Sequence, residues 1–345
     1  MDDPAAQNTD PTVTVLMSVY NGQRFLAESI ESILGQSFGG FEFLVVDDGS
    51  TDSSNAIIQE FARADQRIRI LRNETNLGLT RSLNRGIAEA RGRYLARQDA
   101  DDVSLPERLE CQTDFLESNP EVGVLGSGCL LIDEAGEVVG ERTPVPDSRR
   151  LRTELIVKNH ALVHTSVMVR TNLLRNAGGY DETIRYAQDY DLWWRLSGRT
   201  ELANLERKLV KWRVSGAQIS AGDRAGQLEC MLETSTGIIG SLLGENALPA
   251  EPYRRFWLAC NSDALEDLRP GDIDLLKPLW DLLSSDKGCP PATIGSIEQL
   301  VYRLIRSRGY GAALRLSGIL KSYFNNPLRL TSVAASILRS FLPRA

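Results

Sequence analysis

FEFLVVDDGSTD, residues 41–52, decides how the chain folds. Phe41 to Val46 is an almost unbroken apolar run, and it stops abruptly at two aspartates and a Gly-Ser-Thr-Asp turn. A short apolar run without period-two alternation is buried on both faces, as in a parallel strand covered by helices. Upstream, Val13 to Val19 (VTVLMSV) is a run of the same kind. Between the two, Phe25, Leu26, Ile30, Ile33 and Leu34 recur at helical spacing, and Gly39-Gly40 ends that helix. Downstream, Ser53 begins a helix with Ile57, Ile58 and Phe61 on one side, and Ile68 to Leu71 is a third strand. Arg81 to Ala90 is a helix, and Arg93 to Arg97 a fourth strand. The alternation predicts an α/β fold with a mainly parallel sheet flanked by helices.

Beyond residue 102 the pattern changes. Pro106 to Ser118 reads as a helix with proline in its first turn. Val122 to Gly126, Leu130 to Ile132, Val138 to Arg142 and Leu162 to Val169 read as strands. Ile184 to Ser197 reads as a helix and Leu209 to Val214 as the last strand. Residues 223–345 read as helices broken by loops, which predicts a C-terminal helical extension over 217–345. Residues 1–11 read as a disordered lead-in, and no internal repeat is visible.

The 345 residues carry 39 Lys and Arg against 46 Asp and Glu, a net charge of −7. The apolar share of 42% is that of an ordinary globular protein and excludes collagen-like and low-complexity classes. A net-acidic chain is a poor general binder of nucleic acid. The charge is unevenly spread. Residues 301–345 hold eight basic residues and no acidic one, so 31 basic residues face 46 acidic ones in the rest, a balance of −15. Five cysteines, widely spaced and without a CxxC, fit neither a disulfide framework nor a zinc ribbon, which points to a reducing, cytoplasmic compartment. The N-terminus does not read as a signal peptide, and no apolar run reaches the ~18 residues of a membrane span.

Three acidic clusters sit where chemistry is expected. DDGSTD follows a strand, and ligands of parallel sheets bind beyond the carboxyl ends of strands. The alternative there is a plain strand–turn–helix junction capped by Asp52 or Ser53. RQDADD, residues 97–102, follows the fourth strand. Asp99 and Asp101 form a DxD whose hard oxygens suit Mg²⁺ or Mn²⁺. In QDYDLWWR, residues 188–195, Asp191 and Arg195 can pair across one helical turn, which leaves Asp189 for another task. GQSFG, residues 35–39, matches a hydrolase elbow literally, but a helix precedes it and a strand follows, the reverse of what that motif needs. His160 and His164 lack the glutamate of a HExxH zinc site. Neither GxGxxG nor a P-loop is present.

Taken in order, these segments resemble the inverting glycosyltransferases of family 2, which have the GT-A fold. The resemblance runs over roughly residues 12–220. It is carried by VTVLMSVYNGQRFLAESIESILGQSF, the DDGSTD junction, NLGLTRSLN, RQDADDVSLPERLECQTDFLESNPEVGVLGS, HTSVMVRTNLLRNAGGYDE and QDYDLWWRL. It implies a glycosyltransferase domain over 12–216, with a nucleotide-binding half at 12–102 and an acceptor half at 103–216. It implies that Val19, Tyr20 and Asn21 line a nucleotide pocket beside Asp48, which reads the base, with Arg81 nearby. Asp99 would face the ribose or donor sugar, Asp101 would hold the divalent cation, and Asp189 would be the general base. The implied partners are a nucleotide sugar, UDP-linked, and a glycan or lipid-linked saccharide acceptor in surface polysaccharide assembly.

Two departures stand out: Gln188 precedes Asp189 where the family often has glutamate, and Ser215 stands where many members have histidine. A sugar nucleotidyltransferase would need a glycine-rich basic loop after the first strand, and SVYNGQRF is not one. A non-catalytic nucleotide-sugar binder on the same fold is the other alternative. The basic segment 301–345, with apolar residues at helical spacing, fits either contact with the anionic inner face of the plasma membrane or packing against protein.

Overall fold

The structure is a computed structural model that describes residues 10–144, 148–157, 161–214, 223–244 and 248–261, with isolated positions 272, 275, 278 and 279. The chain divides into two compact units, residues 1–148 with 160–227 and residues 149–159 with 228–345.

The first unit opens with the alternation read from the sequence: β1 (Val13–Val19), α1 (Leu26–Leu34), β2 (Phe41–Asp47), α2 (Ser54–Ala64), β3 (Ile68–Arg72), α3 (Leu79–Glu89) and β4 (Tyr94–Asp99). β5 (Val103–Ser104), α4 (Arg108–Ser118), β6 (Val122–Ile132) and β7 (Val138–Arg142) follow. After them come β8 (Met168–Arg170), α6 (Thr171–Asn176), α7 (Gln188–Ser197) and β9 (Glu201–Arg213). The strands form one sheet in the order β3-β2-β1-β4-β8-β6-β9-β5, with β7 paired to β6. β1 to β4 are parallel to one another. β8 joins β4 and β6 antiparallel, and β6 and β9 run parallel. Mixed α/β architecture with helices on the sheet is the predicted class.

Burial explains the pattern. Every residue of β2 is buried, and so are all of β1 but Ser18. α1 turns Leu26, Ile30 and Ile33 onto the same core. α3 lies close on β1 because Gly86 has no side chain, and a Cβ there would stand 2.2 Å from Leu16 Cδ1. An alanine at 86 would meet the van der Waals wall of a fully buried leucine.

Several expectations need correction. Leu162 to Val169 is not a strand: His164–Ser166 form a 3₁₀ turn and β8 begins at Met168. The Ser166 hydroxyl donates to Val163 O at 2.8 Å and accepts from the distant Ser127 N at 3.1 Å, which draws the backbone away from the ladder. α7 begins at Gln188 rather than Ile184. Asp181 folds an Asx turn onto Thr183, and Ala187 takes the left-handed conformation at φ 60°. The two short strands at 122–132 are one strand, and Gly126-Ser127-Gly128 form an irregularity in the ladder rather than a turn. β9 starts eight residues earlier than Leu209, at Glu201.

The second unit contributes α5 (Ser148–Val157) from residue 149 on, α8 (Arg224–Leu243) from residue 228 on, and α9 (Ala250–Asn261). Its helices share a buried hydroxyl: Ser235 Oγ donates to Ile156 O at 2.7 Å and lies 2.6 Å from Tyr253 Oη. Ser215 and the segment 301–345 lie outside the described residues.

Candidate functional site

Register brings the motifs together. In the parallel ladders Val19 is opposite Asp47 and Ser18 is opposite Asp99, so β1, β2 and β4 end on one edge. The residues after β1 are zipped to the turn after β2. Asn21 N donates to Ser50 Oγ (3.1 Å), Gly22 N to Ser54 Oγ (2.9 Å) and Gln23 N to Asp52 Oδ2 (3.1 Å). Asn21, left-handed at φ 52°, returns the contact by accepting from Thr51 N at 2.9 Å. Tyr20 stands half-exposed on this edge, whereas Val19 is buried and accepts from Asp48 N at 2.8 Å.

The paired aspartates divide their labour. Asp47 is fully buried and holds the turn through Ser50 N (3.0 Å) and Asn55 Nδ2 (2.8 Å). Asp48, nearly as buried, accepts from Asn73 Nδ2 at 2.6 Å and from the main-chain N–H groups of Leu77 and Gly78, both at 2.9 Å. A carboxylate offers about four lone-pair sites, so three donors leave it acceptor capacity for one more. The following turn needs Gly49, which sits at φ 72°, and a Cβ there would lie 2.6 Å from the Thr75 carbonyl carbon. Gly49→Ala should therefore lower stability by about 1–3 kcal/mol, read as a fall in the urea midpoint at unchanged m-value.

Asp99 ends β4. Its Oδ1 pairs with Arg97 Nη2 at 2.5 Å, and its main-chain N–H donates to Thr165 Oγ1 at 3.2 Å. Arg97 is buried and donates also to Gln98 O, and its Nε has no hydrogen-bond partner among the described residues. Arg108, fully buried beneath the loop, donates to Gln98 Oε1 (3.0 Å), Ser104 Oγ (2.8 Å) and Arg97 O (2.7 Å). Asp101 is pushed up to about 6 by burial and by the negative charge of Asp99. Asp102, completely buried, is held well above the usual carboxylate range by burial and by the charges of Asp99 and Asp101. Asp101 and Asp102, crowded beside Asp99, resist ionisation, and a bound divalent cation would offset that crowding, which fits Mg²⁺ or Mn²⁺. Among the described residues no three His, Cys, Asp or Glu side chains gather into a metal cage. One or two carboxylates, with water and phosphate oxygens completing the shell, are what these hard cations use with phosphate ligands.

Asp189 lies in the first turn of α7, where Tyr190 N donates to its Oδ1 at 2.9 Å. Asp191 pairs with Arg195 at 2.8 Å as the spacing predicted, and Arg195 also donates to Ala177 O and Gly179 O. Asp189 and Asp99 act on the same two side chains. His164 Nε2 lies 2.7 Å from Tyr180 Oη, and its ring packs edge-on against Tyr180 and Trp193. Burial and the charge of Arg97 push His164 down to about 4, against the pull of Asp189 and Asp99. Burial raises the Tyr180 phenol. Arg81, half-exposed on α3, pairs with Glu182 at 3.4 Å. Neighbouring Asn84 fixes the same segment through Tyr180 N, Tyr180 O and Glu182 Oε1.

A pH dependence follows from His164. The unfolded chain binds a proton below its ordinary value of 6.5, while the folded ring stays neutral until about 4. Stability is therefore lost as pH falls through that window, by up to about 3 kcal/mol. Urea unfolding at pH 7 and pH 5 should show a larger loss for the natural chain than for His164→Gln; equal losses would remove His164 as the source.

Sequence reading missed Arg97, Arg108, Thr165, Asn73 and Arg213 as parts of this edge. Thr165 and Arg213 reach partners 66 and 112 positions away; Arg97 and Arg108 meet Asp99 and Ser104 close in sequence, but residue type alone gave no signal of it. Trp193 is buried core.

A family profile described as Glycosyl transferase family 2 matches residues 14–177. An uncharacterized glycosyltransferase of Methanocaldococcus jannaschii is 37% identical over 207 residues, 59% of this chain and 71% of that protein. The amylovoran biosynthesis glycosyltransferase AmsE of Erwinia amylovora is 32% identical over 211 residues, 60% of this chain and 78% of its own. Among solved structures, S. aureus TarS 1–349 in complex with UDP-GlcNAc superposes with a TM-score of 0.56 at 18% identity, covering 79% of this chain and 85% of TarS. That likeness is one of fold.

Proposed function

Given that the chain belongs to glycosyltransferase family 2, we propose that it transfers a sugar, with inversion, from a UDP-linked donor to an acceptor hydroxyl during surface polysaccharide assembly. The observation that carries this reading is the shared edge of β1, β2 and β4, where Asp48 directly follows β2, Asp99 ends β4, and the charges of Asp99 and Asp189 both act on His164 and Tyr180. Participation of AmsE in amylovoran synthesis supports the polysaccharide context.

The roles follow from chemistry. The exposed ring of Tyr20, held between Val19 and Asn21, frames the nucleoside, and the remaining lone pair of Asp48 accepts a base N–H. Arg81 offers positive charge to the nucleotide. Asp99 faces the ribose or donor sugar and, with Asp101, holds Mn²⁺ or Mg²⁺. When bound, the cation supplies charge neutralisation to the departing diphosphate. Asp189 accepts the proton of the acceptor hydroxyl as that oxygen bonds to the anomeric carbon. The bond from that carbon to the diphosphate oxygen breaks, and the electron pair leaves with the nucleoside diphosphate. An ordinary aspartate suffices because proton transfer accompanies bond formation between aligned reactants.

A donor screen tests the reading. Nucleotide release is measured across UDP-, dTDP- and GDP-sugars with Mn²⁺ and with Mg²⁺; release from no donor, with any acceptor saccharide, overturns it. The reaction is proposed to run on the cytoplasmic face, with the basic segment 301–345 reaching the anionic lipid surface. Among the described residues no helix is long and apolar enough to cross a membrane.

A further inference from the structure

We propose that Arg213 is a positioning residue for the acidic loop, a brace that sets the direction in which Asp101 presents its carboxylate to the cation. The inference rests on the donor-site reading above and goes beyond it, since Arg213 lies at the far end of β9 and touches no donor atom in that reading.

The geometry is specific. Arg213 is the last residue of β9, with only 1% of its side chain exposed. Its main-chain N–H donates to Asp102 Oδ1 at 2.8 Å, and its Nε donates to Asp101 O at 2.8 Å. Nη1 donates to Asp133 O at 2.9 Å in the β6–β7 turn, and Nη2 meets Glu28 Oε2 of α1 at 2.6 Å. The Phe25 ring lies 4.2 Å from the guanidinium carbon. One planar cation thus ties α1, the acidic loop and the β6–β7 turn to the end of β9.

The peptide joining Asp101 to Asp102 is gripped on both sides. Its carbonyl receives Nε, and the side chain of the next residue receives the main-chain N–H of the same arginine. Thr165, whose Oγ1 accepts from Asp99 N, also hydrogen-bonds the Asp102 side chain. Fixing that peptide plane fixes the Cα–Cβ direction of Asp101. Asp102, enclosed and committed to Arg213 and Thr165, serves as a strut in this arrangement, while Asp101 keeps its carboxylate for the cation. A buried positive charge on the protein side of the loop also offsets the repulsion among Asp99, Asp101 and Asp102. Lysine could not replace it, because a single ammonium cannot donate in the fork directions that three separated acceptors require.

The test uses the full chain and Mn²⁺-dependent UDP binding, followed by calorimetry and by the electron paramagnetic resonance of free Mn²⁺. Arg213→Lys should weaken Mn²⁺ binding roughly tenfold, as loss of an orienting partner does at metal sites. Metal-free UDP binding should be unchanged, and activity should recover at raised Mn²⁺. A merely structural role would lower the thermal midpoint and leave the Mn²⁺ midpoint where it was. Glu28→Gln, at a half-exposed position, removes only the charged partner of Nη2 and should shift Mn²⁺ affinity the same way by less; it decides the matter if Arg213→Lys does not fold. Variants that match a Mn²⁺-responsive natural protein overturn the brace alone. A natural protein whose UDP binding ignores Mn²⁺ overturns the cation reading and the brace with it.

Discussion

Asp189→Asn is expected to abolish sugar transfer while leaving donor binding intact. Asparagine keeps the shape of the side chain and can still accept from Tyr190 N, so the start of α7 should be undisturbed. What it loses is the basic oxygen proposed to take the acceptor proton. A positioned general base contributes about 10²–10⁴-fold, or about 3–5 kcal/mol of barrier, so kcat should fall by that amount. Calorimetry with UDP-sugar should give the affinity of the natural chain. Transfer near the natural rate would remove Asp189 from the reaction. Asp191 is a built-in control on the same helix: it is paired to Arg195, and its substitution should cost stability rather than the chemical step.

Asp101→Ala is expected to erase the gain in UDP affinity that Mn²⁺ brings. Removing this carboxylate strips the proposed cation of a ligand and at the same time relieves the repulsion among the three aspartates, so the fold should survive or become more stable. A loss of at least tenfold in metal-dependent affinity, about 1.4 kcal/mol, is the expected reading. The metal-free affinity should stay the same, because Asp48 and the 20–23 loop keep their own hydrogen bonds. An unchanged Mn²⁺ response would place the cation elsewhere. The same preparation should show a higher thermal midpoint at neutral pH, where the buried carboxylates are most crowded.

Much of this edge is legible in the amino-acid sequence alone. Parallel strands buried on both faces advertise themselves as continuous apolar runs, so β1, β2 and β4 can be read from residue type and order. Where such a run ends in DDGSTD or RQDADD, the carboxyl end of a strand is marked by its own chemistry. The Asp191–Arg195 pair is legible because helical neighbours are fixed by spacing. Asp52 is legible in part: it accepts from Ser54 N near the start of α2, while Ser53 makes no side-chain cap. The supports are not legible. Thr165 meets Asp99 across 66 positions and Arg213 meets Asp101 across 112, and no spacing rule links residues so far apart. The turn at His164–Ser166 reads as strand because its β-branched neighbours favour strands, and the serine hydroxyl that overrides them works through tertiary contacts. Asp48 shows a third kind of limit. Its location is clear, but that it also organises Leu77 and Gly78 depends on a loop whose path residue order does not dictate.

The strand order has a consequence for how the protein is made. β1 lies between β2 and β4 in the sheet, yet it leaves the ribosome first, and Arg213 follows Asp101 by 112 residues. At about 5–20 residues per second, the acidic loop waits roughly 6–22 s for its brace. Before that interval begins, β1 has an unpaired edge until β4 emerges. The nascent chain therefore cannot complete the braced acidic loop early, and the slow step in acquiring activity should be the arrival of β9 rather than closure of the first four strands.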